Sequence, residues 1–435
     1  MKTLSPGAKG WINKYFDLVE NNDIEISVVR PRGLRKLHFV HLTLGSSGIL
    51  FGHALDLIFG REQDTTHWTN EEKLKVLLFE AHVFIYQMVH TGEAFDRNQF
   101  LNELHEFYSY HNAKSVRDYL PKIRKKGVPE QLEDILAKRI DIKLNLIENK
   151  WWVNSLSNGF VFLDVILFDD YLHKDFKSSL KNYESFALNA LTAITLSAYA
   201  DGVIEAKEKD MFNVFLASSG LDSEKRDRAK ERFKNGVSFD DFSGYVKDHW
   251  MLKHFLLDIS ALMIYSNHKA LPEEMDFLKA LAASFNCGEK RLNEVLAIVE
   301  NFVYKTKEEA MILKDASSYE KVYISFTQRW TKVLMRNKEK VSIEIRESKE
   351  LVALIRKSTK EDLSEEEKKM VKEQLKDLAK TVPAFTVFMM PGGTILLPVL
   401  MKMLPNLVPS AFRENQIETE EDTDTSSKKE DESMG

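Results

Sequence analysis

Apolar residues in this chain recur at intervals of three and four, and strict apolar–polar alternation over six or more residues is scarce. Leu74, Leu77, Leu78, Ala81, Ile85 and Met88 share one helical face, behind Thr69 and Glu72 at capping-box spacing. In such a box each side chain satisfies a backbone donor that the first helical turn leaves free. Leu292, Val295, Leu296, Val299, Phe302 and Val303 form a second stripe, and a third follows Ser364 and Glu367 with Val371, Leu375, Leu378 and Val382. A strand turns successive side chains to opposite faces, so this period belongs to helices. Only 18 glycines and 10 prolines serve 435 residues, too few for the many turns of a sheet protein. The expected fold class is all-α.

A chain of this length exceeds one ordinary core, so two to four domains are expected. Residues 1–180 read as an aromatic-rich helical region, with long helices expected near 69–91, 97–112, 129–150 and 151–177. Residues 183–304 read as a compact helical bundle. From about 318 to 413 come long charged helices and an apolar segment at 382–409, followed by an acidic tail at 414–435. The tail has no aromatic residue and is expected to be disordered.

The net charge of −6 comes from that tail, where nine acids face only Lys428 and Lys429. The remaining 413 residues carry a net charge of +1, which gives no electrostatic case for DNA or other nucleic acid. Cys287 is the sole cysteine, so no intrachain disulfide can form and a reducing compartment is expected. The opening MKTLSPGAKGWINKYF lacks the apolar stretch of a secretion signal, which points to a cytoplasmic body.

The middle region shows an internal echo. AYADGVIEAKEKDMFNVFLASSGLDSEKR (198–226) precedes IYSNHKALPEEMDFLKALAASFNCGEKR (264–291) by about 66 residues, with a one-residue shift at the closing Glu-Lys-Arg. Tyr199 pairs with Tyr265, Asp201 with Asn267, Glu208 with Glu274 and Phe212 with Leu278, as in a degenerate tandem repeat.

The turn at Asp201-Gly202 invites comparison with a calcium loop, in which position 6 is glycine and position 12 a bidentate glutamate. Counting Gly202 as position 6 places Glu208 at 12, but Ser197 at 1 and Tyr199 at 3 supply no carboxylate. The EF-hand pattern fails on those two positions. ADGVIEAKE resembles the turn of TerB-like proteins, a helical family linked to tellurite resistance whose acidic turns are associated with metal binding. That resemblance covers roughly 183–235 and nominates Asp201, Glu205 and Glu208 as ligands for a divalent cation such as calcium. The second copy has Asn267, His268 and Leu271 in the corresponding places and has lost such a set. Ordinary capping explains the same residues, with Asp-Gly closing one helix and the glutamates opening the next.

VPAFTVFMMPGGTILLPVLM, at 382–401, runs for twenty residues without a charge, long enough to cross a bilayer core. Pro383, Pro391 and Pro398, with the Gly392-Gly393 pair, predict a kinked or hairpin segment rather than one straight helix. A proline-broken soluble core is the alternative. The stretch from about 350 to 413 resembles the LETM family, whose members sit in the mitochondrial inner membrane. The matching residues include Val382-Pro383, Pro391, Leu396-Leu397-Pro398, Lys402, Pro405-Asn406 and Pro409-Ser410. The resemblance implies membrane insertion, proton-coupled cation exchange and ribosome binding. Two departures bear on this. Thr394 stands where the family carries a membrane-embedded glutamate, and the large ribosome-binding domain that follows the segment in the family is not found after it here.

A LETM-like end joined to a TerB-like block resembles the bacterial LETM-related biofilm-associated proteins. Lys360, Lys368, Lys369, Lys372, Lys376 and Lys380 precede the apolar run, whereas only Lys402 and Arg413 follow it closely. By the positive-inside rule the body stays cytoplasmic and docks on the inner membrane, and the lysines attract anionic lipid.

The histidine pairs His38/His41, His105/His111 and His249/His254 lack zinc-protease spacing and read as core or solvated residues. The stretch 37–60 is apolar but interrupted by His38, His41, His53 and Asp56, and reads as a buried or interfacial helix. Gly-Ser-Ser-Gly at 45–48 lacks the lysine of a phosphate loop, and no nucleophile elbow or dinucleotide fingerprint occurs. The chain is thus expected to be non-enzymatic and to act in ion homeostasis or envelope and biofilm functions, with protein partners on the helical block. A soluble interaction scaffold is the alternative.

Overall fold

The computed structural model describes residues 4–30, 34–61, 63–115, 127–140, 156, 158–173, 182–265, 272–306, 343, 345, 347–358, 361 and 363–381. Among these residues the chain is all-helical, with fourteen α-helices, three short 3-10 turns and no strand. The first six helices are α1 (Trp11–Glu20), α2 (Lys36–Ser47), α3 (Asn70–Val89), α4 (Arg97–Ser115), α5 (Val128–Ile140) and α6 (Phe162–Leu172). Then come α7 (Asn182–Ala198), α8 (Ala206–Ser218), α9 (Ser223–Asn235), α10 (Trp250–Tyr265), α11 (Pro272–Ser284) and α12 (Glu289–Lys305). Two more, α13 (Lys349–Ser358) and α14 (Glu365–Thr381), close the described chain.

The expected capping box starts α3. Glu72 N–H donates to Thr69 Oγ1 at 3.2 Å, and Thr69 N–H donates to Glu72 Oε2 at 2.8 Å. All six residues of its predicted stripe are buried, and so are Val76, Phe79, Val83 and Phe84 on other faces. A helix apolar all round must be surrounded, and α3 packs against α2, α5 and α6. Phe79 takes edge-on contacts from Trp11 at 5.4 Å, Tyr15 at 5.4 Å and Phe100 at 5.7 Å.

Helix α5 is seen over the first part of the expected 129–150, and residues 141–150 lie outside the described ones. Of the helix expected over 151–177, residue 156 is helical, and residues 151–155, 157 and 174–177 lie outside the described ones. Residues 158–161 form a turn, and α6 starts at Phe162 and ends at Leu172. The turn presses on Gly52, which has φ 66° and where a Cβ would overlap the Asn158 carbonyl. The stretch 37–60 gives buried α2 and a 3-10 turn at Ile49–Phe51, not one longer helix, because Gly48 at φ 88° stops α2.

In the middle region α7 and α10 pack lengthwise on each other, with α8 and α9 on α7, and α11 and α12 on α10. The helix starts keep one spacing of 66: Ala206 and Pro272, then Ser223 and Glu289. The spacing persists through the N-caps Asp222 and Gly288, so the helices do not follow the one-residue shift of the Glu-Lys-Arg match. Helix α6 packs on α7 and α12 on α2, and one contiguous apolar core runs from Leu4 to Val303.

Candidate functional site

Helix α7 ends in a turn that needs a left-handed residue, supplied by Gly202 at φ 85°. Asp201 Oδ1 accepts from the Val203 N–H at 3.0 Å, the bond of an Asx turn. Glu205 is then the N-cap of α8 and forms a capping box with Glu208, whose Oε2 accepts from the Glu205 N–H at 2.9 Å. Glu208 is buried and Asp201 and Glu205 are exposed. The fold therefore brings Glu205 and Glu208 together as a helix start, with Asp201 in the preceding turn. Among the described residues no group of three or more His, Cys, Asp or Glu is placed to hold a metal ion. Asn267, His268 and Leu271 of the second copy lie outside the described residues.

The paired tyrosines do different work. Tyr199 donates to the Phe233 and Lys234 carbonyls at 3.0 and 3.1 Å, closing the end of α9. Tyr265 instead donates to Glu300 Oε1 at 2.7 Å inside the core. Ser197, at the first position of the calcium-loop comparison, donates to the Ala193 carbonyl and is buried.

The approach to the apolar end is a helical pair. Helix α14 opens on the expected capping box, with Glu367 N–H donating to Ser364 Oγ at 3.2 Å and Ser364 N–H to Glu367 Oε2 at 3.0 Å. It packs on α13 and buries Val371 and Leu375, while Lys368 and Lys369 face solvent. Lys357 on α13 reaches Glu367 at 2.6 Å, and Ser348 Oγ donates to Gln374 Oε1 at 2.7 Å. Leu378, at the next turn of the predicted stripe, is helical, and Val382 lies beyond the described residues. So do Pro383, Pro391, Thr394, Pro398, Pro405 and Pro409, with the whole segment 382–409 and the tail 414–435. Among the described residues no helix is long and apolar enough to cross a membrane.

Buried polar networks are the part of the molecule that sequence reasoning missed. Glu80, fully buried in α3, accepts from the N–H groups of Ile58, Phe59 and Gly60 at 2.6, 3.0 and 2.8 Å and from the Tyr15 hydroxyl at 3.1 Å. Its burial raises its carboxyl pKa, and those donors pull it back down. Arg139 on α5 grips Asp164 on α6 with two bonds, Nε to Oδ2 at 2.7 Å and Nη2 to Oδ1 at 2.6 Å. Tyr108 also donates to Asp164 Oδ2, at 3.2 Å. Glu133 caps α1 from a distance, accepting from the Gly10 and Ile12 N–H groups at 2.8 and 2.9 Å. Tyr15 ties Glu80 to α1, Arg139 ties α5 to α6, and Glu133 ties α5 to α1.

Comparison with known proteins adds one match. Residues 363–434, about a sixth of the chain, fit a family model described as LETM1-like, RBD. No curated protein and no solved structure matches the chain.

Proposed function

We propose that this chain is a non-enzymatic, LETM-like helical protein whose 382–409 segment docks a cytoplasmic body on the inner membrane. The observation that carries the reading is the family match at 363–434, which makes the C-terminal segment LETM-related. Within it lies the twenty-residue run without charge at 382–401, preceded by a lysine-rich helix. Each lysine near an anionic surface contributes about 1 kcal/mol, so α14 would favour the headgroups beside the insertion point. Thr394 in place of the family's glutamate argues against proton-coupled exchange by the family's route and favours an anchoring or homeostatic role. Flotation of the purified chain with vesicles containing anionic lipid tests this. Full-length protein should float, and a chain ending at Thr381 should stay at the bottom. Equal behaviour of the two sinks the reading.

We further read 183–304 as a duplicated TerB-like unit that binds a protein partner or senses a divalent cation through Asp201, Glu205 and Glu208. The constant 66-residue spacing of its helix starts supports the duplication. Joined to a LETM-like end, it supports kinship with the biofilm-associated group.

A second reading is a ribosome contact. The matched family is the RBD itself and the match runs through the acidic tail, so a ribosome-binding region need not follow the segment. Cosedimentation with ribosomes at low and high salt tests it. A complex that is lost without residues 363–434 supports the contact, and no pelleting at low salt rejects it.

A further inference from the structure

Helices α2, α10 and α12 meet on polar side chains sealed from solvent. His41 Nε2 on α2 lies 2.8 Å from Asp258 Oδ2 on α10. His254, one turn before Asp258, has its ring centre 5.1 Å from that of His41 and is stacked on Trp250 at 4.2 Å. Its Nδ1 is held by the Trp250 carbonyl at 2.7 Å. His38, also on α2, approaches Glu294 on α12 at 3.4 Å. The three histidines and Asp258 are all at most 4% exposed.

Four atoms of this group are buried with no hydrogen-bond partner among the described residues: His38 Nε2, His41 Nδ1, His254 Nε2 and Asp258 Oδ1. Unmet polar atoms cost stability, and an apolar seam would hold the helices at least as well. What a histidine seam adds is dependence on protons. Two imidazoles this close in a dry seam, with one carboxylate between the helices, can carry one positive charge but not two.

We propose that the seam is a proton-operated latch: α2 stays docked while His41 pairs with Asp258 and His254 is neutral, and it opens when a second proton enters at His254. The charged groups around it are His38 on α2, Asp258 and Lys253 on α10, and Glu294 with its partner Arg291 on α12. Burial first, then the charge of His41 and that of Lys253, push His254 down to about 3, against the modest pull of the Trp250 carbonyl. Burial works against a charge on His41 too, but Asp258 and then Glu294 outweigh it and leave His41 raised.

The signs follow from linkage. His254, lowered in the closed seam, stabilises it above its ordinary 6.5, and that contribution drains away as pH falls from 6.5 toward 3. His41, raised, stabilises the closed seam below 6.5 and loses that contribution as pH rises through its shifted value. Asp258, raised by burial, takes a proton earlier in the closed state and so opposes opening nearer the carboxylate range. The seam is therefore tightest near neutrality, and below 6.5 its opening constant grows by up to about tenfold per pH unit.

Hydrogen exchange of the full chain, corrected for the intrinsic pH dependence of exchange, tests this. Between pH 6.5 and 5.5 opening should rise by up to about tenfold in peptides 36–47 and 250–265 and stay unchanged in 206–218. His254→Phe, which keeps a ring against Trp250, should remove the rise, as should His254→Gln if the first variant does not fold. The latch is overturned if the wild-type seam shows no rise, if 206–218 opens in step with it, or if a folded His254 variant keeps the rise.

Discussion

Gly220 and Asn286, 66 positions apart, hold the same left-handed backbone, with φ of 66° and 55°. They follow α8 and α11, two helices of equal length, and precede the N-caps of α9 and α12. A left-handed residue costs an L-amino acid about 1–2 kcal/mol, which glycine escapes and asparagine softens. Gly220→Ala should therefore lose about 1–2 kcal/mol in urea unfolding, and a Cβ there would also sit 3.3 Å from the Tyr183 hydroxyl. Asn286→Gly should be neutral or slightly stabilising. An equal loss from both substitutions would contradict the equivalence of the two turns.

The carboxylates of the 201–208 turn are used as caps. Glu208→Ala should cost about 1 kcal/mol, and Glu208→Gln, which keeps the acceptor, much less. Cation sensing through this turn predicts a larger loss in millimolar calcium than in chelator, and capping alone predicts the same loss in both. Titration of the wild type with calcium by calorimetry, beside Asp201→Ala and Glu208→Ala, separates the two roles. Heat that vanishes in both variants would make these carboxylates ligands as well as caps.

Arg139 and Asp164 form a pair whose single removal strands a charge. Asp164→Ala should destabilise by about 2–3 kcal/mol, since it leaves the part-buried Arg139 guanidinium without its carboxylate. Replacing both residues with apolar ones should recover part of that loss. A double variant as damaged as the single one would mean that packing, not the stranded charge, sets the cost.

His82, buried in α3 beside Tyr108, is held down to about 4, chiefly by burial. A lowered histidine gives stability that is complete above 6.5 and lost as pH falls through its folded value. From 6.5 to about 4 that loss amounts to about 3 kcal/mol. Urea unfolding at pH 7 and pH 5 should show the slope, and His82→Phe should make it shallower. A slope unchanged by that substitution would place the acid sensitivity elsewhere.

Local patterns were the legible part of the sequence. The stripe from Leu74 to Met88, the stripe from Leu292 to Val303 and both Thr/Ser–Glu capping boxes depend only on neighbours within a few turns, and they stand as read. What was hidden depends on distance along the chain. His41 meets Asp258 across 217 residues and Glu133 caps α1 across more than a hundred, and no spacing rule links such partners. Boundaries suffered for the same reason. The helix expected over 151–177 is interrupted by the turn at 158–161, where Asn158 closely approaches Gly52, a tertiary contact that the local apolar pattern does not carry. The Glu-Lys-Arg echo misled by one position because charged surface residues drift freely, while the caps and the left-handed turn residue hold the register.

The most direct measurement is carbonate extraction of cell membranes carrying the full chain or a chain ending at Thr381. Anchoring through 382–409 predicts that the full chain stays in the pellet and the shortened, still helical chain is released. Release of both, each folded by circular dichroism, would contradict the membrane account and leave a helical scaffold to be explained by its protein partners.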